Sequence, residues 1–245
     1  MEGWLIADPA PASPPPGRAI CWRILLDSLG ARSLEALWGV LDGKERERAE
    51  RFRQSDDRRR FIAAHGGLRV LTAAALGLAP DEMGFTLGEK GKPACRQGKL
   101  EFSLSHSGGV VLIALSESLP VGVDVEEVRF FADHRAIALQ YFHHGEAATL
   151  GPLEEPEATA AFFRCWTRKE AVIKALGLGL TMPLEDFQVS CRPGEAPRLL
   201  SLADYPGHPP WTLFDLVPAE GHCGALAIPA RDFSLTRRTL DLSQL

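Results

Sequence analysis

Apolar and polar positions follow two rhythms along this chain, and the rhythms divide it into elements. Short alternating or continuous apolar runs predict strands at Trp4–Ala7, Ala19–Leu25, Gly84–Leu87, Leu100–Leu104, Val110–Leu115 and Val121–Glu126. Helical spacing predicts a helix from Ser33 to Leu41, a helical region over residues 44–60, and a third helix over Phe61–Leu78, ending at LGL with Pro80 just beyond. Gly66 and Gly67 weaken helix propensity in the middle of that third element. Five prolines between positions 9 and 16 place a loop between the first two strands. At residues 162–176 the chain reads FFRCWTRKEAVIKAL. At about 100° per residue, Phe162, Cys165, Trp166, Val172, Ile173 and Leu176 gather into one apolar stripe. Lys169 falls inside the stripe, and Glu170 and Lys174 sit on its border.

The order of elements repeats. AAALGL at 73–78 lies 100 residues before IKALGL at 173–178, and each closes a helix. GFTLGEKGKP after the first is echoed by DFQVSCRPGEAP after the second, and LEFSLSHSGGVVLIALS by WTLFDLVPAEGHCGALAIP. This predicts an α+β fold of two similar, pseudo-symmetric halves, 1–118 and 119–245, with a ligand cleft between them.

Composition narrows the function classes. The net charge of −5 argues against a general nucleic-acid binder. Residues 44–60, KERERAERFRQSDDRRR, nonetheless form a locally basic segment, which reads equally as a partner-steering surface or as a solvated helix laced with ion pairs. The longest strongly apolar run, VVLIAL at 110–115, is far short of the ~20 residues of a membrane helix. The first 17 residues lack the basic start and apolar length of a signal peptide. Five scattered cysteines without a C-x-x-C suit free thiols in a reducing compartment, so a cytoplasmic protein is expected.

Three stretches carry candidate chemistry. In PVGVDVEEV, 120–128, strand alternation puts Val121, Val123 and Val125 on one face and Gly122, Asp124 and Glu126 on the other. Carboxylates two strand positions apart lie roughly 7 Å from each other and suit an oxygen-ligated cation such as Mg²⁺, although alternation alone also generates an acidic solvent face. In the helix 162–176, Glu170 and Lys174 have the spacing of a surface ion pair. That pairing does not explain Lys169, because an unpaired buried ammonium is costly; snorkelling of its stem is a partial escape, and a ligand or a metal-bound anion meeting this face explains it better. Arg164, Arg168, Lys169 and Lys174 make the helix locally cationic. In FSLSHSGG, 102–109, a strand is expected to break at Ser105, His106 and Ser107 into a glycine turn able to cradle an anion. GEKGKP at 88–93 is a cationic turn. No Walker loop, G-x-G-x-x-G or G-x-S-x-G occurs, which disfavours nucleotide triphosphate hydrolysis and Rossmann redox chemistry.

In order and spacing, GEKGKP, FSLSHSG, VGVDVE and FFRCWTRKEAVIKALGLGL resemble the 4'-phosphopantetheinyl transferase superfamily, of the surfactin-activating (Sfp) type. The resemblance is specific from about residue 44 to 190. It implies a monomer that moves the phosphopantetheine arm of coenzyme A to a serine of an apo-carrier protein (acyl, peptidyl or aryl), releasing adenosine 3',5'-bisphosphate, with the active site between the halves. It implies Asp124, Glu126 and Glu170 as Mg²⁺ ligands, with Mn²⁺ a possible substitute. Lys169 and Lys174 would contact the pyrophosphate, and Lys92, Ser105 and His106 the 3'-phosphoadenosine end, joined by Arg48 and Arg60 from the basic segment. Glu170 and Lys174 are the expected catalytic pair. The carrier is expected to be acidic and helical; nucleic-acid and membrane partners are not expected. The competing readings are a non-catalytic module that binds coenzyme A or a carrier, and a metal-dependent phosphohydrolase.

Overall fold

A computed structural model describes residues 3–7, 13–88, 91–97, 99–202 and 209–242. Part of the proline-rich stretch, and Glu89 and Lys90 of GEKGKP, lie outside the described residues. The chain divides into two compact units. The first holds the described residues up to Gly88, then 93–118 and those from Ser234 onward; the second holds 91–92 and 119–233.

The first unit is a five-stranded sheet under helices. Its strands are β1 (Leu5–Ala7), β2 (Arg18–Leu25), β5 (Glu101–Ser107), β6 (Val110–Ser116) and β12 (Ser234–Leu240), beside a small ladder of β3 (Phe85–Leu87) and β4 (Pro93–Cys95). The sheet order is β1-β12-β2-β6-β5; β12 runs parallel to both β1 and β2, and β2-β6-β5 is antiparallel. Helices α1 (Ala31–Gly39), α2 (Gly43–Glu50) and α3 (Ser55–Leu76) accompany it.

The second unit holds β7 (Gly122–Glu127), α4 (His134–Tyr141), α5 (His144–Leu150), α6 (Glu157–Leu176), the ladder of β8 (Phe187–Val189) and β9 (Leu199–Leu202), then β10 (Thr212–Leu216) and β11 (His222–Ile228). Its sheet is antiparallel in the order β10-β11-β7, and α6 packs on β7 and β11. The internal echo is therefore real within each unit. A long helix leads into a short two-stranded ladder and then a hairpin, and the second strand of that hairpin pairs with an earlier strand (β6 with β2, β11 with β7).

Two differences from the sequence reading have clear causes. Gly66 and Gly67 do not interrupt α3, and neighbouring elements pack closely against the helix at both positions. A Cβ on Gly66 would stand 2.7 Å from the Leu37 carbonyl oxygen of α1, and one on Gly67 2.5 Å from Cδ1 of Ile24 in β2. Packing overrides the propensity cost of about 1 kcal/mol per glycine. Ser105, His106 and Ser107 do not leave the strand: they continue β5, paired with Leu112, Val111 and Val110 of β6, and the turn falls at Gly108 and Gly109.

The basic segment is two helices held by buried charge. Asp42 and Glu45 form a reciprocal capping box at the start of α2. Arg69 of α3 is buried against both, with Nη2 2.6 Å from Asp42 Oδ2 and Nε 2.6 Å from Glu45 Oε2, while Nη1 donates to the Met83 carbonyl. His65 Nδ1 lies 3.2 Å from Glu45 Oε1. Burial pushes the Glu45 carboxyl up, but hydrogen bonds from His65, the Asp42 backbone and Arg69 outweigh it and hold it below the usual range. A depressed carboxyl stabilises the fold above its unfolded value and loses that contribution as pH falls through the folded one. Glu45→Gln is therefore expected to cost about 2 kcal/mol at neutral pH. The gap to wild type should close as pH falls below about 4.3, as urea midpoints measured across pH 3–7 would show.

Candidate active site

The acids of β7 face α6. The register sets Gly122, Asp124 and Glu126 beside Ala227, Ala225 and Cys223 of β11. A Cβ on Gly122 would stand 1.9 Å from the Ala171 carbonyl oxygen and 2.5 Å from the Ala175 amide nitrogen, both α6 backbone. A glycine here, with alanines opposite, lets the helix lie directly on the strands. Val121, Val123 and Val125 point the other way and are buried.

This approach brings the helix edge to the strand acids. Asp124 is 4% exposed, and Lys174 Nζ donates to its Oδ1 at 2.6 Å. Glu126 and Glu170 are half-buried. Burial raises the Glu170 carboxyl above its ordinary value; the Asp124 charge adds to this, Lys174 opposes it, and Glu126 adds again. The three acids thus feel one another's charge, with one lysine among them. Cys223, opposite Glu126, is pushed up to about 12, chiefly by burial, so it is held as a thiol at neutral pH.

The expectation that three carboxylates converge on one cation position is not met by the side chains as placed. Among the described residues, no group of three His, Cys, Asp or Glu side chains is gathered closely enough to hold a metal ion. The Lys174 ammonium stands at Asp124 instead. The donor chemistry still suits a hard divalent cation: three carboxylates in mutual electrostatic reach, offering oxygen alone.

Lys169 requires a correction. Its side chain is fully buried, with Nζ 2.8 Å from Glu146 Oε1, 2.7 Å from Oε2 and 2.6 Å from the Phe187 carbonyl oxygen. An ammonium enclosed in this way is not available to a pyrophosphate. The lysine in the apolar stripe is explained by a buried acid on α5 rather than by a ligand. The cost of burying an unpaired ammonium was the signal to search for such an acid, and Glu146 in HHGEAATL was the residue missed. Arg168 is likewise committed to the fold, gripping Asp215 of β10 with Nε at 2.8 Å and Nη2 at 2.6 Å, and donating from Nη1 to the Ser190 carbonyl.

The remaining expected ligands divide between the units. Lys92 belongs to the second, where Nζ donates to the carbonyls of Val121 at 3.3 Å and Ala175 at 3.5 Å. A cation at the last carbonyls of α6 complements the helix dipole. Ser105, His106, Arg48 and Arg60 belong to the first. Ser105 is buried on β5 and His106 is exposed. Arg60 of α3 donates from Nε to the Gly108 carbonyl at 2.8 Å, tying α3 to the turn that follows His106, and from Nη1 to Asp57 at 2.9 Å. The Arg48 guanidinium lies 5.1 Å over the ring of Phe61, the residue that follows Arg60.

Comparison with known proteins decides the family. Residues 120–227 match the family model of the 4'-phosphopantetheinyl transferase superfamily, and residues 30–118 match that described as 4'-phosphopantetheinyl transferase, N-terminal. The 4'-phosphopantetheinyl transferase HetI of Nostoc sp. is 34% identical over 211 residues, covering 84% of this chain and 86% of the relative. The chain belongs to the 4'-phosphopantetheinyl transferase superfamily. Sfp of Bacillus subtilis, also a 4'-phosphopantetheinyl transferase, is 30% identical over 63% of this chain and 68% of its own length. AcpT of Salmonella typhimurium is 41% identical over a shorter stretch, 44% of this chain and 56% of the relative. Both halves of the transferase are thus matched, and the β7–α6 site lies within the superfamily match. Among the described residues, no helix of the transferase is long and apolar enough to cross a membrane.

Proposed function

We propose that this transferase performs its reaction at the β7–α6 site, with Asp124, Glu126 and Glu170 holding Mg²⁺ and with Lys174 and Glu170 as the reacting pair. The reaction moves the 4'-phosphopantetheine arm of coenzyme A to a serine of an apo-carrier protein. The observation that carries the assignment is the Lys174–Asp124 contact at 2.6 Å beside a Glu170 whose carboxyl is raised by burial and by both strand acids. When bound, Mg²⁺ would neutralise pyrophosphate charge. Phosphoryl transfer leaves the protein little covalent work, so orientation and charge dominate.

The serine Oγ forms a bond to the phosphorus that carries pantetheine, and the bond from that phosphorus to the bridging oxygen breaks. Adenosine 3',5'-bisphosphate departs with the bridging electron pair. Glu170, the carboxylate that α6 presents to the strand acids, takes the serine proton. Lys174, drawn off Asp124, holds the departing phosphate. Arg48, Arg60, Ser105 and His106 carry the guanidiniums, hydroxyl and imidazole expected at the phosphorylated adenosine end. The basic residues between 44 and 60 steer an acidic helical carrier in a salt-dependent manner.

Mass spectrometry of an apo-carrier incubated with coenzyme A and Mg²⁺ tests the reaction directly, by gain of one phosphopantetheine arm. Glu170→Gln is expected to lower kcat by about 10²–10³-fold in that assay. Transfer near the wild-type rate would remove Glu170 from both of its roles.

A further inference from the structure

Three consecutive residues of α6 point in three directions, and the first two are locked. Arg168 grips Asp215 and the Ser190 carbonyl. Lys169 is enclosed with Glu146 of α5, and every polar atom of that pair is satisfied. Glu146 Oε1 takes the Lys169 ammonium and the Val189 amide at 2.7 Å. Oε2 takes the same ammonium and the His143 amide at 3.1 Å. The ammonium also meets the Phe187 carbonyl, and the Phe187 ring lies 4.0 Å away. Glu170 follows directly, turned about 100° from Lys169 around the helix axis.

We propose that Glu146 is a positioning residue for the transfer reaction: through Lys169 it fixes the rotation of α6 about its own axis, and with it the direction in which Glu170 and Lys174 meet Asp124. The inference rests on the reading of the β7–α6 site given above. An apolar pair would fill the same space, but its contacts have no direction. The paired ammonium and carboxylate, bonded to α5, β8 and the residue preceding α5, accept one orientation of the helix. The same pair is sealed from solvent, so it takes no part in the chemistry itself.

The deciding variant is the double replacement Glu146→Leu/Lys169→Met, because exchanging both members of a buried ion pair for apolar residues is often neutral or stabilising. A cooperative melt near the wild-type temperature is expected, with kcat lower by about 10²-fold and KM for coenzyme A little changed. Mn²⁺ titration followed by electron paramagnetic resonance, with coenzyme A present and no carrier, is expected to show weaker metal binding. Glu146→Asp keeps the charge on a shorter arm, and serves if the double variant folds poorly. It should keep the melt and lose part of kcat, whereas a purely structural pair would lower the melt and leave kcat per folded molecule untouched. A folded variant of either kind with wild-type kcat and wild-type Mn²⁺ binding overturns the inference. Glu170→Gln in the same assay separates the two levels. If Glu170→Gln is inactive and the folded Glu146 variants are fully active, only the positioning role fails; if Glu170→Gln is fully active, the underlying reading of the site fails.

Discussion

Alanine at Gly122 is expected to reduce transfer to near background and to lower the melting temperature sharply, although it adds only a single methyl group. The added carbon would stand 1.9 Å from one backbone atom of α6 and 2.5 Å from another, and backbone has no rotamer with which to yield. The helix must therefore lift from β7, against the grip of Arg168 on Asp215 and of Lys169 on Glu146 on its other sides. Overpacking in a core typically costs about 1–3 kcal/mol, and a clash between fixed backbones belongs at or above the top of that range. The helix also carries Glu170 and Lys174, so a displacement of about 1 Å moves both from Asp124 and is worth about 10²-fold in rate by itself. Circular dichroism melts and the mass-spectrometric transfer assay read the two effects separately. Wild-type activity in a folded Gly122→Ala protein would mean that the close approach of helix and strand is dispensable.

Asp124→Asn has the largest effect expected of an isosteric change. The carboxylate is almost wholly enclosed, accepts the Lys174 ammonium at 2.6 Å, and raises the Glu170 carboxyl by its charge. An amide of the same shape loses the charge-assisted bond, removes a proposed cation ligand and weakens the field that tunes Glu170. Charge stabilisation of this kind is commonly worth about 10²–10³-fold for each group removed, and this residue serves three ends at once. The expected loss in kcat/KM is therefore about 10³-fold or more, unrecovered at high Mg²⁺. Activity within tenfold of wild type would place the chemistry elsewhere.

How far these features can be read from residues alone depends on the distance between partners in sequence. The acidic face of β7 follows from alternation within six residues, and the structure places Gly122, Asp124 and Glu126 on one side as expected. The apolar stripe of α6 is equally local: Phe162, Cys165, Val172 and Ile173 are buried, with Trp166 and Leu176 packed at the margin. Lys169 was misread because its partner lies 23 positions earlier on another helix, and a phosphate was the nearer explanation. The roles of Gly66, Gly67 and Gly122 depend on what stands opposite, which no propensity scale contains. The cationic character of α6 was overstated for the same reason, since Asp215 neutralises Arg168 from β10.

The position of β12 bears on how the protein is made. The second unit is almost a continuous stretch, 119–233, and can close as that stretch leaves the ribosome. The first cannot. Its sheet carries residues 234–240 between β1 and β2, joining strands more than 200 positions apart. Pairings of such long range are slow to form, and the strands on either side keep unpaired edges until they do. The usual order of synthesis, in which the earlier unit matures first, is inverted: the portion translated first is completed last, and during that interval the nascent chain has an open sheet edge to protect.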